Sequence, residues 1–222
     1  MKPALTFLLA SLLSVSPVFA AQPEEVDEFA MTLEENIDYP RISPRKAKPV
    51  CEAMAQLRKK LADRKYAATL ERDGQVVCVT IPAAELFRAN SRTLSPEGRK
   101  RLEELGRYVA HREQFKVLVA VHSDDTGDTA YSDDLTSERA NAIDDYFTET
   151  LGREPYLIPY GIGRDEPLHS NTTLINRAAN RRVEIFFVPT IAYIKHLTQM
   201  TCFLCVLPTF GTLLPLSLIA RA

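Results

Sequence analysis

Between Phe115 and Val188 the chain alternates apolar, strand-like runs with helical patterns, and the junctions carry polar residues that core packing alone does not demand. A strand pattern over Phe115 to Val121 ends in His122-Ser123-Asp124-Asp125-Thr126-Gly127, and a helical pattern opens at Leu135-Thr136-Ser137-Glu138-Arg139-Ala140. Steps of four from Leu135 pass through Arg139, Ile143 and Phe147, which puts an arginine on the stripe that the helix should bury. A buried unpaired charge is costly, so Arg139 needs an anion in reach, either Asp124 or the carboxylate of a ligand. Strands and helices in this order imply an α/β (α+β) two-layer sandwich, with helices on one face of a mixed sheet.

The preceding sequence supplies the other elements. Cys51, Met54, Ala55 and Leu61 follow helical spacing over Cys51 to Ala62. A strand near Tyr66 to Leu70 turns at Asp73-Gly74 and returns through Gln75 to Ile81, since this dipeptide favours a tight hairpin. Ser95-Pro96-Glu97 has the cap, first-turn proline and early acid of a helix start, and Leu102, Leu105 and Val109 form its apolar stripe. Further on the pattern predicts a strand at Tyr156 to Tyr160, a short helix at Thr173 to Ala179 and a last strand at Arg182 to Val188. No internal repeat is present.

The loop and helix residues quoted above, with Glu85-Leu86-Phe87, Thr93-Leu94-Ser95-Pro96-Glu97-Gly98, Tyr160-Gly161-Ile162-Gly163-Arg164-Asp165-Glu166-Pro167 and Asn180-Arg181-Arg182-Val183-Glu184-Ile185, resemble the OmpA-like peptidoglycan-binding domain of Gram-negative envelope proteins. The resemblance runs from near Met54 to Val188, about three fifths of the chain. It implies a non-catalytic module that grips the diaminopimelate of a peptidoglycan stem peptide and ties an envelope component to the cell wall. It also implies a periplasmic or outer-membrane-associated location, and no cofactor. In that family the aspartate of the loop and the arginine of the helix hold the ligand, and Asp124 and Arg139 occupy those positions. Ser123, Ser132, Thr136 and Arg181 complete the candidate ligand-binding set. A planar guanidinium matches a carboxylate with two parallel hydrogen bonds, which lysine cannot do. Each such contact contributes roughly 1.5–3 kcal/mol, against the cost of immobilising the ligand, so affinity at one site should be micromolar to millimolar.

Three positions depart from the family pattern: Val121 replaces the usual glycine, Ser132 the usual asparagine, and Asp125 adds a second carboxylate. A bulkier strand end would narrow a pocket there, and serine lacks the donors of an amide. Two alternatives therefore stay open: an Asp124–Arg139 salt bridge with no ligand, and an envelope scaffold of the same fold that binds a protein partner.

Residues 1–20 read as an export signal, with Lys2, an apolar stretch from Ala4 to Val18, and Val18-Phe19-Ala20 before the cleavage point. An uncleaved signal anchor is the alternative. Their removal takes away one base and no acid, which moves the formal charge from −2 to −3. With no dominant basic face, nucleic-acid binding is disfavoured. Residues 21–49, acidic first and basic later, read as a solvated linker, or as an arm that docks through Phe29, Met31, Leu33 and Ile37. The OmpA-like domain is placed at 50–189. Residues 190–222 form an apolar extension of unknown role: Met200 to Ile219 carries no charge, but Pro208, Gly211 and Pro215 interrupt it, so membrane association through the tail is one reading among three.

In an oxidising compartment Cys51 and Cys78 are candidates for a disulfide joining helix to sheet. The Cys202-x-x-Cys205 pair lacks the setting of a redox or zinc site. A metal cluster of His122, Asp124 and Asp125 is disfavoured because adjacent strand residues point to opposite faces, and no second histidine has ligand spacing. A Ser123-His122-Asp124 triad fails for the same reason. Gly161 and Gly163 lack the lysine and immediate helix of a phosphate loop, so they read as backbone shape.

Overall fold

The hairpin at Asp73-Gly74 forms as expected in the computed structural model, which describes residues 26–204. Strand β1 (Ala67–Glu71) runs antiparallel to β2 (Val76–Pro82), and Arg72, Asp73 and Gly74 take the positive φ that the tight turn requires. The last strand, β5 (Arg182–Pro189), lies at the centre of a five-stranded sheet. It pairs antiparallel with β2 on one side and with β3 (Phe115–His122) on the other. The edge strand β4 (Leu157–Gly163) runs parallel to β3, which gives the order β1-β2-β5-β3-β4. A parallel neighbour needs a crossover, and helix α5 (Thr129–Leu151) provides it.

Strand alternation divides the apolar residues between two faces. Val77, Val79, Ile81, Val117, Val119, Val121, Val183, Ile185 and Phe187 share one buried cluster with the helices. Into it α2 (Pro44–Asp63) sends Met54, Leu57 and Leu61, and α4 (Pro96–Val109) sends Leu102, Leu105 and Val109. Helix α5 adds Ala140, Ile143 and Phe147. A four-residue helix, α3 (Ala83–Leu86), follows β2 and turns the chain toward α4. The Ser95 hydroxyl caps α4 by accepting from the Gly98 amide at 2.9 Å.

The opposite face carries Val76, Cys78, Leu118, Ala120, Phe186 and Val188, and it is covered by the segment that reads as a solvated linker in the sequence. A single turn at Glu28–Ala30 leads into α1 (Leu33–Asp38), whose Leu33 and Ile37 pack on this cluster. Thr32 and Glu35 close a capping box at its start. The chemistry of the strap centres on Lys116 of β3, which is buried and has its Nζ 2.7 Å from Glu28 Oε2. Lys116 also donates to Asn36 Oδ1 at 2.7 Å and to the Tyr39 carbonyl at 3.0 Å. Burial pushes the Lys116 pKa down, while the Glu28 carboxylate pulls it back up. The Tyr160 hydroxyl donates to the Met31 carbonyl at 3.0 Å and fastens the strap to β4. The segment thus packs on the chain's own sheet through Leu33 and Ile37, while Phe29 stays 66% exposed, and it does so through contacts that no local pattern encodes.

At the other end, the helical pattern begins at Pro44, seven residues before Cys51. Beyond β5, α7 (Ile191–Leu204) returns to α2 and buries Ile194, with Tyr193 set edge-on against Phe115 at 5.4 Å between ring centres. The first part of the apolar extension is therefore packed on the core. Among the described residues, no helix is long and apolar enough to cross a membrane. The export signal, the side chain of Cys202, Cys205 and the rest of the tail lie outside the described residues.

Cys51 and Cys78 are both free thiols, which corrects the expected disulfide. The reason is parity. Cys78 sits on the strap face of β2, whereas α2 covers the face of Val77 and Val79. Cys51 Sγ instead lies 3.4 Å from the Asp73 carbonyl in the hairpin turn.

Candidate functional site

Where β3 ends its register shifts between Val121 and His122, and the two residues after the shift diverge. His122 turns to the strap face, 3.2 Å from Glu184 Oε2 but poorly aligned for a hydrogen bond. Burial pushes the Glu184 carboxyl up, yet His122 and the Arg182 guanidinium, 2.7 Å away, outweigh it and hold it at about 2. Ser123 and Asp124 turn the other way, into a cleft of about 380 Å3. The same alternation separates Arg181, which lines the cleft, from Arg182, which is buried beside Glu184 on the far side.

The floor of the cleft is built by α5. Its N-cap is Asp128, so the helix begins six residues before the Leu135 pattern, and Ser132, Leu135 and Arg139 form one face at helical spacing along the cleft. Gly161 explains how this helix comes so close to β4. A Cβ added there would lie 2.2 Å from Ser137 Oγ and 2.4 Å from the Ser137 nitrogen. Thr136 fastens the contact: its hydroxyl accepts from the Gly163 amide at 3.0 Å and donates to the Ser132 carbonyl at 2.9 Å. Thr136 is fully buried and does not line the cleft, so its role is in the scaffold and not in the ligand set where the sequence reading put it. Val121 also stays out, packed in the core, and therefore does not narrow the opening. Asp125 is exposed beside the cleft, while Ser132 is buried and lines it.

The two central charges are brought to one cleft but not to each other. Asp124 Oδ1 accepts from the Thr126 amide at 3.1 Å, and Oδ2 is paired with Arg181 Nη1. The Asp124–Arg139 salt bridge, one of the two alternatives left open by the sequence, does not form; the cationic partner of Asp124 is Arg181. Arg139, 7% exposed, gives Nε to the Ser91 carbonyl at 2.8 Å and Nη2 to the Arg88 carbonyl at 3.3 Å. Its guanidinium lies over the Phe87 ring, 4.8 Å from the centroid. Among the described residues it meets no carboxylate within ion-pair distance, and Nη1 makes no hydrogen bond. Burial lowers its pKa, but a guanidinium stays charged. Three arginines, Arg88, Arg139 and Arg181, therefore line the cleft beside one carboxylate that is already paired, which suits a ligand carboxylate.

One wall was not assigned from the sequence. Phe87 and the loop that follows it, closed by the Phe87–Leu94 bridge, supply both the ring under Arg139 and the carbonyls that hold it. Glu85-Leu86-Phe87 and Thr93-Leu94 marked the segment, but backbone acceptors leave no mark in side-chain patterns. Among the described residues no group of histidine, cysteine and carboxylates could hold a metal ion.

Residues 86–181 match the model of the OmpA family. Outer membrane protein A of Bordetella avium is 32% identical over 111 residues, half of this chain and 57% of that protein. The outer-membrane lipoprotein YfiB of Pseudomonas aeruginosa is 31% identical over 100 residues, 45% of this chain and 60% of that protein. The chain thus spans a little over half the length of these relatives. Among solved structures, a MotB-like protein from Desulfovibrio vulgaris superposes with a TM-score of 0.57 over 65% of this chain and 96% of that one, at 24% identity, and so shares the fold.

Proposed function

Starting from a chain that carries an OmpA-family domain, we propose that it binds the peptidoglycan stem peptide without catalysis and tethers an envelope component to the cell wall. Its place is the Gram-negative envelope, as the names of its outer-membrane relatives indicate. The observation that carries the ligand assignment is Arg139: a nearly buried guanidinium with no acid partner among the described residues, beside an open cleft. A carboxylate of diaminopimelate would supply the missing charge, accepting from Nη1 and from the edge of the fork not held by the Arg88 and Ser91 carbonyls. The ammonium of the same end group would go to Asp124. Ser123, Ser132 and Arg181 would border it.

The test is titration of the full chain with a stem tripeptide ending in diaminopimelate, and sedimentation with purified cell wall. Arg139→Lys keeps the charge but loses the fork, and should weaken binding roughly ten- to a hundredfold, the loss of one charge-assisted bond of roughly 1.5–3 kcal/mol. Because Arg139 also braces the Arg88–Ser91 loop, the urea midpoint must stay near that of the parent for the result to count. Unchanged binding by the folded variant refutes the assignment.

The scaffold reading, in which a protein partner is bound, is favoured by one observation. Leu174 and Ile175 of α6 (Leu174–Asn180) are 78% and 81% exposed, and Leu168 nearby is 54% exposed. Crosslinking in cells that yields a protein adduct without recovery on cell wall would decide for it.

A further inference from the structure

We propose that Arg181 is a resident counter-ion of Asp124, which the ammonium of a zwitterionic ligand must displace, so that Arg181 sets the selectivity of the cleft between zwitterionic and purely anionic end groups. The proposal rests on the reading of the cleft given above. Its starting point is that both oxygens of Asp124 are engaged, Oδ1 by the Thr126 amide and Oδ2 by Arg181. An incoming ammonium therefore meets a carboxylate that already has a cationic partner.

The two partners are unequally held. The Asp124 side chain is 4% exposed and fixed by its own turn, whereas the Arg181 side chain is 46% exposed. The backbone of Arg181 is pinned, its amide donating to the Arg177 carbonyl at 3.1 Å and its carbonyl accepting from the Ala83 amide at 2.9 Å. Withdrawal thus needs only side-chain rotation toward water. Arg139 is the opposite case, clamped by two carbonyls and a ring. One guanidinium is a fixed anion receptor, and the other is a movable cap on the anion. An ion pair with one exposed partner is weak, which makes displacement affordable and limits its effect on affinity to a few fold.

The experiment compares wild type with Arg181→Gln by calorimetric titration of three stem tripeptides. Their third residue is diaminopimelate, its analogue without the distal ammonium, or lysine, which lacks the distal carboxylate. In Arg181→Gln the diaminopimelate peptide should bind about two- to fivefold tighter, the range of such an ion pair, while the analogue without ammonium binds equally or more weakly. Arg181→Lys, which keeps a displaceable cation, should restore the wild-type ratio. Equal weakening of the first two peptides would make Arg181 a direct carboxylate ligand and overturn the proposal. An unchanged ratio would overturn it too, because ammonium then joins Asp124 as a third partner. Failure of the parent reading looks different: wild type binds neither carboxylate peptide, or Arg139→Lys matches wild type. A urea midpoint for each variant separates loss of fold from loss of selectivity.

Discussion

Replacing Gly161 by alanine tests whether the approach of β4 to α5 is what positions the cleft. The added Cβ would lie 2.2, 2.4 and 2.6 Å from Ser137 Oγ, N and Cα. Two of those atoms are backbone, so no rotamer change relieves the clash, and strand and helix must part by about 1 Å to reach ordinary contact. Overpacking of this kind costs roughly 1–3 kcal/mol, and two rigid elements in contact place the change near 3 kcal/mol. With a urea slope of about 2 kcal/mol/M, the midpoint should fall by about 1.5 M. Gly106 is the internal control. It lies within α4, where a Cβ would meet Phe147 Cε1 at an easy 3.9 Å, so Gly106→Ala should gain about 0.5–1 kcal/mol of helix propensity. Because α5 carries Arg139, the folded fraction of Gly161→Ala should also bind the diaminopimelate tripeptide more weakly. A midpoint for Gly161→Ala within the range of Gly106→Ala would refute the close-approach argument.

Two further outcomes follow from buried titratable groups. Burial, with Asp145 and Glu154 nearby, raises the Asp144 carboxyl from its usual 3.8 to about 6. The unfolded chain then ionises first, so stability falls as pH rises from 3.8 through about 6, and the whole deficit is present above that. Asp144→Asn should therefore stabilise the protein at pH 7.5, on the order of 1 kcal/mol after allowance for solvent, and the gain should vanish below pH 3.8 in urea titrations at both ends. An equal gain at both pH values would contradict this. For the cysteines, burial pushes the Cys78 thiol far up, and neither thiol faces the other across the sheet. Iodoacetamide should label Cys51 in the native protein and Cys78 only in urea, and peptide mapping after mild oxidation should find no bridge between them.

Much of the fold could be read because its signals are local. The Asp73-Gly74 turn and the Ser95-Pro96 helix start specify their own backbone geometry and need no partner. Stripe spacing likewise marked Arg139 as a buried cation. What escaped depends on distant partners. Thr32 and Glu35 form a capping box, yet Leu33–Asp38 is too short to read as a stable helix, and its docking relies on Lys116 some eighty residues later. The pairing of Asp124 with Arg181 depends on the phase in which β5 begins, one residue after Arg181. The missing disulfide was decidable in principle from strand parity, because Cys78 alternates with the Val77 and Val79 that face the helices.

The strap has a mechanical consequence. Lys116, clasped by Glu28 and Asn36, and Asp124, in the cleft, stand on β3 and the loop leaving it. A tug on the polypeptide ahead of Glu28, while the cleft holds something immovable, is carried along that strand. β3 is hydrogen-bonded to β4 on one flank and to β5 on the other, so it cannot be peeled away bond by bond and must slide past both neighbours at once. The domain is thus strung so that load falls, in shear, on a strand held along both flanks.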